Sequence, residues 1–272
     1  MPNTKPFFSI IIPTLNEARY LPHLLNDLAE QSFRDFEVIV VDGKSTDATL
    51  KQAKAFTSRL PSLRLLTSPK RHVCVQRNLG AKHAHGLIFL FMDADNRLPT
   101  YFLQGIKYRL EVTSADMIIP YIEPDIKTPQ NEAITNAVNL FIEIQINLKP
   151  TYLQECMVII TQSAFHSIGG FDTTINYAEG KSFIKSAASN GFTIKVVKDP
   201  SYSMSFRRLR QYGVLSVAGR IAQMELSEFL GPDFHFSRAK KIYPMLGGAT
   251  YTPPPRVKNR FLKNIAKLLK DF

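Results

Sequence analysis

The chain has 272 residues, of which 44% are hydrophobic and 21% are charged. A chain of this length forms one large domain and buries about three quarters of the surface that its unfolded form exposes. This composition excludes a disordered protein and a coiled coil. The two cysteines, Cys74 and Cys156, exclude a disulfide-stabilised scaffold and speak against a structural zinc site. No apolar run has the length of a transmembrane helix, so we expect a globular, cytoplasmic protein.

The positive charge is concentrated toward the C-terminal end of the chain. The formal net charge is +11, and residues 201–272, with 13 Lys or Arg against four Asp or Glu, contribute +9 of it. A uniformly basic chain is typical of nucleic-acid binding, whereas a basic segment after a nearly neutral body indicates an anionic surface such as a membrane. Aromatic residues that would stack on bases are not interleaved with these cations, so we expect no nucleic-acid partner.

Strands and helices alternate through the first half of the chain. Continuous apolar, β-branched runs predict buried strands, and these are Phe7–Pro13, Phe36–Asp42, Leu63–Thr67 and Leu87–Asp93. Apolar residues at helical spacing predict the helices between them, which are Tyr20–Phe33, Thr46–Phe56 and Val73–His85. This alternation predicts an α/β fold with a parallel sheet and right-handed crossover connections.

The second half of the chain is less regular. A polar connection at Glu123–Gln130 precedes a predicted helix that carries Ala137, Phe141, Ile144 and Leu148 on one face. The elements predicted after this helix are a strand at Met157–Thr161, a turn at Gly169–Asp172, a helix at Ser182–Ser189 and a strand at Thr193–Val197.

A predicted amphipathic helix follows the proline-rich linker Pro253–Pro255. Residues 256–272 have one apolar stripe, which consists of Phe261, Leu262, Ile265, Leu268, Leu269 and Phe272. The lysines that lie off this stripe are Lys263, Lys267 and Lys270. Two interpretations are open: the helix rests in a membrane interface, or it docks on the core with its basic face in solvent.

Polar clusters follow three of the predicted strands. They are Pro13–Glu17, Asp42–Asp47 and Asp93–Asn96. Ligands of an open parallel sheet bind beyond the carboxyl ends of its strands, so we expect the three clusters to converge on one rim of the sheet. This convergence indicates a binding site more strongly than any one of the clusters does.

Asp93 and Asp95 carry the most specific chemistry of the three clusters. In an extended segment residues i and i+2 point to the same side, and two converging carboxylates repel each other unless a cation lies between them. Mg²⁺ and Mn²⁺ suit such oxygen ligands and leave positions open for substrate phosphates. The alternative is a solvated acidic turn, but the buried strand before the pair favours a metal site.

Asp42 stands directly at the end of a buried strand. A carboxylate there could accept hydrogen bonds from a nucleobase N–H or a ribose hydroxyl, and we favour this role over a purely structural one. Capping of the next helix explains Ser45 and Thr46, and it is also the favoured interpretation of Asp47.

In their order and spacing these motifs resemble the family 2 glycosyltransferases of the GT-A fold. The matching segments are S-I-I-I-P-T-L-N-E at Ser9–Glu17, V-D-G-K-S-T-D at Val41–Asp47, R-N-x-G at Arg77–Gly80, D-x-D at Asp93–Asp95 and G-G-F-D at Gly169–Asp172. The resemblance implies a Rossmann-like, mostly parallel sheet flanked by helices. It also implies a transferase that uses a nucleotide-diphosphate sugar and a divalent metal, Mn²⁺ or Mg²⁺.

The resemblance also implies roles for individual residues. The residues that would line the nucleoside pocket are Pro13, Asn16, Glu17 and Asp42. Arg77 would support the nucleotide, with a surface helix arginine as the alternative, and Asp95, assisted by Asp93, would hold the metal across the diphosphate. The metal would neutralise the negative charge that the leaving nucleoside diphosphate gains as the glycosidic bond breaks.

An inverting member of the family needs a carboxylate base that deprotonates the acceptor hydroxyl. The family usually places this base in an acidic pair soon after G-G-F-D. Glu179 matches the first acid, but Gly180 and Ser182 stand where further acids are expected. Glu179 is therefore the candidate base. The alternatives are a base elsewhere in the chain or a chain that transfers sugar poorly.

A basic segment near residue 207 resembles an S-x-R-R segment of small bacterial-type members of the family. Its arginines Arg207 and Arg208 follow Ser205 and Phe206, and either could close over the diphosphate through forked, charge-assisted hydrogen bonds. The alternative is a basic, membrane-facing surface, which we favour only for Arg210.

The sequence thus predicts a GT-A domain at residues 1–200, with a nucleotide-sugar-binding half at 1–100, an acceptor half at 101–200 and a basic extension at 201–272. The predicted function is metal-dependent, inverting transfer of a sugar to a glycan or lipid-linked acceptor of the cell envelope. The predicted location is the cytoplasmic face of a membrane, which residues 256–272 would contact. The alternative function is a degenerate nucleotide-sugar-binding protein with little or no turnover.

Overall fold

The computed structural model describes residues 5–148, 157–175, 179–217 and 219. The strands are β1 (Phe8–Thr14), β2 (Phe36–Asp42), β3 (Leu63–Thr67), β4 (Ile88–Met92), β5 (Met117–Pro124), β6 (Met157–Thr161) and β7 (Ile194–Met204). The helices are α1 (Leu21–Ala29), α2 (Thr49–Lys54), α3 (Val73–Lys82), α4 (Phe102–Thr113), α5 (Pro129–Leu148), α6 (Gln162–Ile168), α7 (Glu179–Ser189) and α8 (Arg207–Tyr212).

The strands form one sheet in the order β3-β2-β1-β4-β6-β5-β7. β1 pairs in parallel with β2 and β4, and β2 pairs in parallel with β3. β6 is antiparallel to β4 and β5, and β7 is parallel to β5. The predicted α/β fold with a mostly parallel sheet is therefore confirmed, and the carboxyl ends of β1, β2 and β4 lie side by side.

The central strands are buried on both faces because their sequences are apolar almost throughout. Every residue of β1, β2 and β4 is buried. Apolar residues of α1 and α4 pack on one face of the sheet, and those of α3, α6 and α7 pack on the other. Burial of this kind is the main favourable term in folding, and it holds the strand ends that carry the polar loops.

β5 and α4 occupy a segment that the sequence analysis left unassigned. β5 contains Pro120, and proline removes a hydrogen-bond donor from a strand. The sheet accommodates it because the pairing of β5 with β7 shifts register between Pro120 and Ile122. β7 runs on to Met204, past the predicted strand end at Val197, so the predicted boundary after residue 200 falls inside a strand.

α5 packs on the sheet through a face that the sequence analysis did not identify. The buried residues of this face are Thr135, Asn139 and Ile142. The Asn139 amide accepts a hydrogen bond from the Ile122 N–H at 3.0 Å and donates one to the Ile122 carbonyl at 2.9 Å. The apolar face that helical spacing predicted is exposed instead. It carries Ala137, Phe141, Ile144 and Leu148.

Gly80 allows α3 to lie directly on the sheet. A Cβ at this position would lie 2.4 Å from Ile11 Cγ2 and 3.2 Å from Val41 Cγ2. We therefore expect Gly80→Ala to lower the free energy of unfolding by about 1–3 kcal/mol, because the helix must move away from β1. Urea denaturation beside Lys82→Ala, an exposed change in the same helix, measures the effect. Equal stabilities of the two variants would contradict the packing argument.

Among the described residues, no helix is both long and apolar enough to cross a membrane. Residues 220–272 lie outside the described part of the chain. The predicted linker Pro253–Pro255 and the predicted amphipathic helix at 256–272 lie there, so both stay predictions.

Candidate active site

The loops that follow β1 and β2 are joined to each other by hydrogen bonds. The Asn16 N–H donates to Ser45 Oγ at 2.8 Å, and Asn16 Oδ1 accepts from the Thr46 N–H, also at 2.8 Å. Asn16 has a φ of 56°, a left-handed conformation that asparagine adopts more readily than most residues. Asn16 therefore holds the two strand-end loops together at the rim.

Asp42 lies at the rim, and its oxygens already accept hydrogen bonds within the loop. Asp42 Oδ2 accepts from the Ser45 N–H at 2.9 Å, and Oδ1 accepts from the hydroxyls of Ser45 at 2.5 Å and Thr14 at 3.3 Å. Pro13 lies in the neighbouring strand, where it pairs with Val41 and is buried. Both predicted nucleoside residues thus stand at strand ends, and Asp42 also fixes the shape of its loop.

Asp47 has a structural role at the start of α2, although the N-cap residue of this helix is Ala48 and not Asp47. Its Oδ1 accepts from the N–H and hydroxyl of Thr49 at 3.0 and 2.5 Å, and its Oδ2 accepts from the Ala18 N–H at 3.1 Å. Burial raises the pKa of the Asp47 carboxyl, but these hydrogen bonds outweigh burial, so the pKa is lowered overall.

We expect Asp47→Ala to lower the free energy of unfolding by about 1 kcal/mol at pH 7. The native pKa of Asp47 is lower than the unfolded value of about 3.9. The stabilisation is therefore present above the unfolded pKa and is lost as the pH falls through the native pKa. Urea denaturation of both proteins should show their difference shrinking below about pH 4. A difference that stays constant down to pH 3 would show that the ionised carboxylate is not what stabilises this loop.

Arg77 of α3 lies buried beside the D-x-D segment. Its side chain is 2% exposed, so the alternative of a surface arginine is wrong. An Arg77 Nη2–H donates to Asp93 Oδ1 at 3.2 Å, and the guanidinium lies 5.2 Å from the centroid of the Phe171 ring. Burial raises the pKa of the Asp93 carboxyl, the charge of Arg77 opposes this rise, and the charge of Asp95 adds to it. Arg77 thus influences the strand-end rim through Asp93, by its hydrogen bond to that carboxylate and by its charge.

The R-N-x-G motif also ties the rim to the G-G-F-D turn. Asn78 Nδ2 donates to the Phe171 carbonyl at 2.8 Å, and Asn78 Oδ1 accepts from the Phe171 N–H at 2.9 Å. Gly170 has a φ of 84°, and a Cβ there would lie 2.8 Å from Asn78 Oδ1. One turn of α3 therefore contacts both the D-x-D segment and a loop from the second half of the chain.

Arg207 of α8 bridges the loops that follow β1 and β4. Its Nη1 and Nη2 groups donate to the two carboxylate oxygens of Glu17, each at 3.1 Å. Its Nε lies 3.2 Å from Asp95 Oδ2, and its guanidinium lies 4.8 Å from the centroid of the Tyr20 ring. The predicted site residues Glu17, Asp95 and Arg207 are therefore in direct contact.

The charges at this part of the rim are strongly coupled. Burial raises the pKa of the Glu17 carboxyl, Arg207 lowers it in part, and the charges of Asp95 and Asp93 raise it further. Burial lowers the pKa of the Arg207 guanidinium, but its contacts with Glu17 and Asp95 outweigh burial, so the pKa is raised overall. Glu17 and Asp93 thus lie where added positive charge would favour their ionised forms.

The other two arginines of this segment differ in their surroundings. Burial raises the pKa of Asp93, and Arg208 is close enough for its charge to oppose that rise. Arg210 donates two hydrogen bonds, each of 2.7 Å, to the oxygens of Asp125. Arg210 thus forms an ion pair on the folded body, and its membrane-facing role stays a prediction.

Glu179 is the first residue of α7. Its side chain lies outside the part of the chain that the structure describes, so its assignment as the base stays a prediction.

Within the described residues, no group of three or more His, Cys, Asp or Glu side chains could hold a metal ion. Asp93 and Asp95 offer two carboxylates, and Mg²⁺ usually takes its other ligands from substrate phosphates and water.

Gln76, Asn78 and Tyr20 contribute to the site, although no role for their side chains was predicted from the sequence. Gln76 is buried, and its Nε2 donates to the carbonyls of Thr14 and Val41 at 2.9 and 2.7 Å, which ties the ends of β1 and β2 together. Gln76 and Asn78 had a detectable signal, because both are polar residues within a helix that must cover the sheet. No local sequence pattern indicated a role for Tyr20, because its partner Arg207 lies far away in the chain.

Comparison with known proteins identifies the family. Residues 9–167 match the family model described as Glycosyl transferase family 2, and the chain belongs to this family. The matched residues include the loops after β1, β2 and β4, so the resemblance inferred from the motifs is confirmed.

Curated relatives of the chain are named as glycosyltransferases. The chain is 27% identical over 209 residues to poly(ribitol-phosphate) β-N-acetylglucosaminyltransferase TarS of Staphylococcus aureus, an alignment that covers 74% of this chain and 36% of TarS. It is 43% identical over 94 residues to a PGL/p-HBAD biosynthesis glycosyltransferase of Mycobacterium tuberculosis, covering 34% of this chain and 37% of the relative. The matched region is therefore little more than a third of the length of these relatives.

Solved structures of glycosyltransferases share the fold. The crystal structure of S. aureus TarS 1–349 in complex with UDP is similar with a TM-score of 0.62 and 26% identity, covering 86% of this chain and 73% of that one. The mannosyltransferase PcManGT from Pyrobaculum calidifontis, in complex with GDP-Man and Mn²⁺, has a TM-score of 0.64 and 19% identity, covering 100% of this chain and 82% of that one. The second likeness concerns the fold alone.

Proposed function

We propose that the protein transfers a sugar from a nucleotide-diphosphate donor to an acceptor hydroxyl. The proposal rests on the meeting of Glu17, Asp95 and Arg207, with Asp93 close by, at the carboxyl ends of β1 and β4. Ligands of α/β sheets bind at such a rim, and a cluster of carboxylates and arginines suits a metal-bound diphosphate. Membership of Glycosyl transferase family 2 supports the same reaction class.

Asp93 and Asp95 fit the divalent metal ion, Mg²⁺ or Mn²⁺, that this reaction class implies. Their side chains are 36% and 15% exposed, so both carboxylates remain open to a ligand. Burial raises the pKa of Asp93, and added positive charge would lower it again. We propose that these two carboxylates hold the ion, which when bound would neutralise the negative charge on the leaving nucleoside diphosphate.

Arg207 exchanges its partners in this proposal. Its guanidinium is now the cation that faces Asp95 and Glu17, and it would leave Asp95 when a second cation binds there, because like charges repel. A diphosphate offers the guanidinium oxygens that accept the same forked pair of hydrogen bonds. Arg207 and Arg208 would then bind the diphosphate, and Glu17 would face the nucleoside.

Pro13, Asn16, Glu17 and Asp42 form the proposed nucleoside side of the site. Asn16 and Asp42 would act mainly by fixing the loops, since Asn16 Oδ1 and both oxygens of Asp42 already accept hydrogen bonds from residues of the same rim. Arg77 would support the nucleotide indirectly, through its contact with Asp93.

Glu179 is the proposed base that removes the proton from the acceptor hydroxyl, with inversion at the transferred sugar. Gly180, the next residue, favours a second candidate function. A chain without the second acid of the family's pattern could bind the nucleotide sugar and transfer it slowly or not at all.

Thermal shift and nucleotide release test the two functions together. The donors are UDP-, GDP- and dTDP-sugars, each with Mn²⁺, Mg²⁺ or a chelator, and UDP comes first because the similar TarS structure holds it. Metal-dependent stabilisation by one donor, with slow donor hydrolysis, would support the transferase. Stabilisation without hydrolysis or transfer would support the binding protein. No response to any donor would contradict both.

Glu179→Gln separates the base from donor binding. We expect this variant to keep the metal-dependent stabilisation by donor and to lose transfer, because the amide cannot accept the proton. Ser182→Ala in the same helix is the matched control and should retain both. Unchanged transfer in Glu179→Gln would place the base elsewhere.

The acceptor, the location and the division into halves are further parts of the proposal. The proposed acceptor is a glycan or a lipid-linked molecule, and the similar protein TarS is named for a polymeric acceptor, poly(ribitol-phosphate). We propose that residues 1–100 bind the donor and residues 101–200 the acceptor. The proposed location is the cytoplasmic face of a membrane, which the basic side chains of residues 256–272 would contact.

A further inference from the structure

α5 exposes a line of large apolar side chains. We call Ala137, Leu140, Phe141, Ile144 and Leu148 the α5 stripe. These positions recur at intervals of three and four residues, so they share one side of the helix. The four larger side chains are between 42% and 78% exposed. A continuous apolar patch on a folded protein marks a contact surface.

We propose that residues 256–272 of the same chain cover the α5 stripe. This segment has an apolar stripe of its own with the same helical spacing, formed by Phe261, Leu262, Ile265, Leu268, Leu269 and Phe272. Two helices with such stripes can pack along each other and remove both from water. The basic residues of the segment would then face solvent.

Near the end of its described part, the chain passes close to the start of α5. Arg210 of α8 donates two hydrogen bonds of 2.7 Å to Asp125, and α5 begins at Pro129. Residues 220–255 connect this point to the proposed segment. A connection of that length reaches about 120 Å when extended, whereas a helix of 20 residues, the length of α5, spans about 30 Å. The segment can therefore reach every part of the α5 stripe.

The charges favour this segment over other occupants. α5 contains Glu132 and Glu143 and no Lys or Arg, and Lys198 of β7 pairs with Glu143 at 3.5 Å. Residues 256–272 contain six Lys or Arg and one Asp. A second copy of the chain would present the same glutamates to α5, and an anionic membrane would repel them. The basic segment is the partner whose charge is complementary.

Carbene footprinting of the full chain, read by mass spectrometry, tests the proposal. We compare the wild type with the double variant Ile265→Asp/Leu268→Asp, which places charges on the apolar stripe of the segment. Labelling of Phe141 and Ile144 should rise at least about threefold in this variant, because the stripe is released to solvent. The matched control is Asn259→Asp/Asn264→Asp, which adds the same charge off the stripe and should leave labelling unchanged. Tyr108 and Val112, exposed on α4, should label equally in all three proteins if the body is folded.

A synthetic peptide of residues 256–272, added to the double variant Ile265→Asp/Leu268→Asp, should restore the protection. Ile144→Asp in that variant should weaken peptide binding at least about tenfold, and Val112→Asp should not. Equal labelling of Phe141 in the wild type and the double variant would overturn the proposal. Protection that appears only at high protein concentration, or only with phosphatidylglycerol vesicles, would also overturn it, in favour of a second copy or a membrane.

Discussion

Asp95→Asn is expected to weaken the metal-dependent binding of a nucleotide-sugar donor by about 100-fold or more. The change removes one of the two carboxylates that the D-x-D segment offers to a metal, and it keeps the size of the side chain. The fold should survive, because Arg207 retains its two hydrogen bonds of 3.1 Å to Glu17. The free energy of unfolding should stay within about 1 kcal/mol of the wild-type value.

The measurement for Asp95→Asn is a thermal-shift titration with the donor that stabilises the wild type most, in Mn²⁺ and in chelator. Glu30→Gln is the matched control, since Glu30 is an exposed carboxylate that pairs with Arg59 at the end of α1 and away from the rim. The control should bind donor like the wild type. Donor binding by Asp95→Asn that equals the wild type would refute the metal assignment.

Arg77→Leu is expected to destabilise the protein by about 3 kcal/mol. Arg77 is buried, so its removal leaves the Asp93 carboxylate without its nearest compensating charge. This value lies in the lower part of the range of stability losses measured when one partner of a buried ion pair is removed. We choose the lower part because Asp93 still reaches solvent. For a domain of this size the loss corresponds to a fall in melting temperature of about 6–12 °C.

A double-mutant cycle isolates the contribution of the Arg77–Asp93 pair. Arg77→Leu/Asp93→Asn should recover about 2 kcal/mol relative to Arg77→Leu, because the uncompensated charge is gone. Arg64→Leu, a change of an exposed arginine, serves as the control and should stay within about 0.5 kcal/mol of the wild type. If the double variant is no more stable than Arg77→Leu, the cost comes from lost packing on Phe171 and not from charge.

The elements that could be predicted well from the sequence are those with uniform burial. β1, β2 and β4 are apolar along their whole length, so their limits agree with the predictions to within a residue. β5 carries proline inside the strand and depends on a register shift against β7, which no local pattern indicates. The polar residues Lys198 and Asp199 interrupt the apolar pattern of β7, so its second part was missed.

The position of the candidate site was predictable, but the partners of its side chains were not. Parallel strands share a rim, and this alone predicts that the loops after β1, β2 and β4 meet. The contact between Glu17 and Arg207 joins residues that are 190 positions apart, and sequence patterns act over a few residues only. Nor does a sequence show whether a polar side chain such as Asn16 faces a ligand or another loop.

α3 contacts both the D-x-D segment and the G-G-F-D turn, and this has a consequence for protein engineering. A chimera that takes the proposed acceptor half from a relative would receive a foreign G-G-F-D turn, and Asn78 and Arg77 would have to fit its backbone and its aromatic ring. A mismatch there would reach Asp93 through the Arg77 guanidinium, so a graft made only to change the proposed acceptor half would also disturb the D-x-D segment. The natural unit of exchange is therefore the acceptor half together with α3.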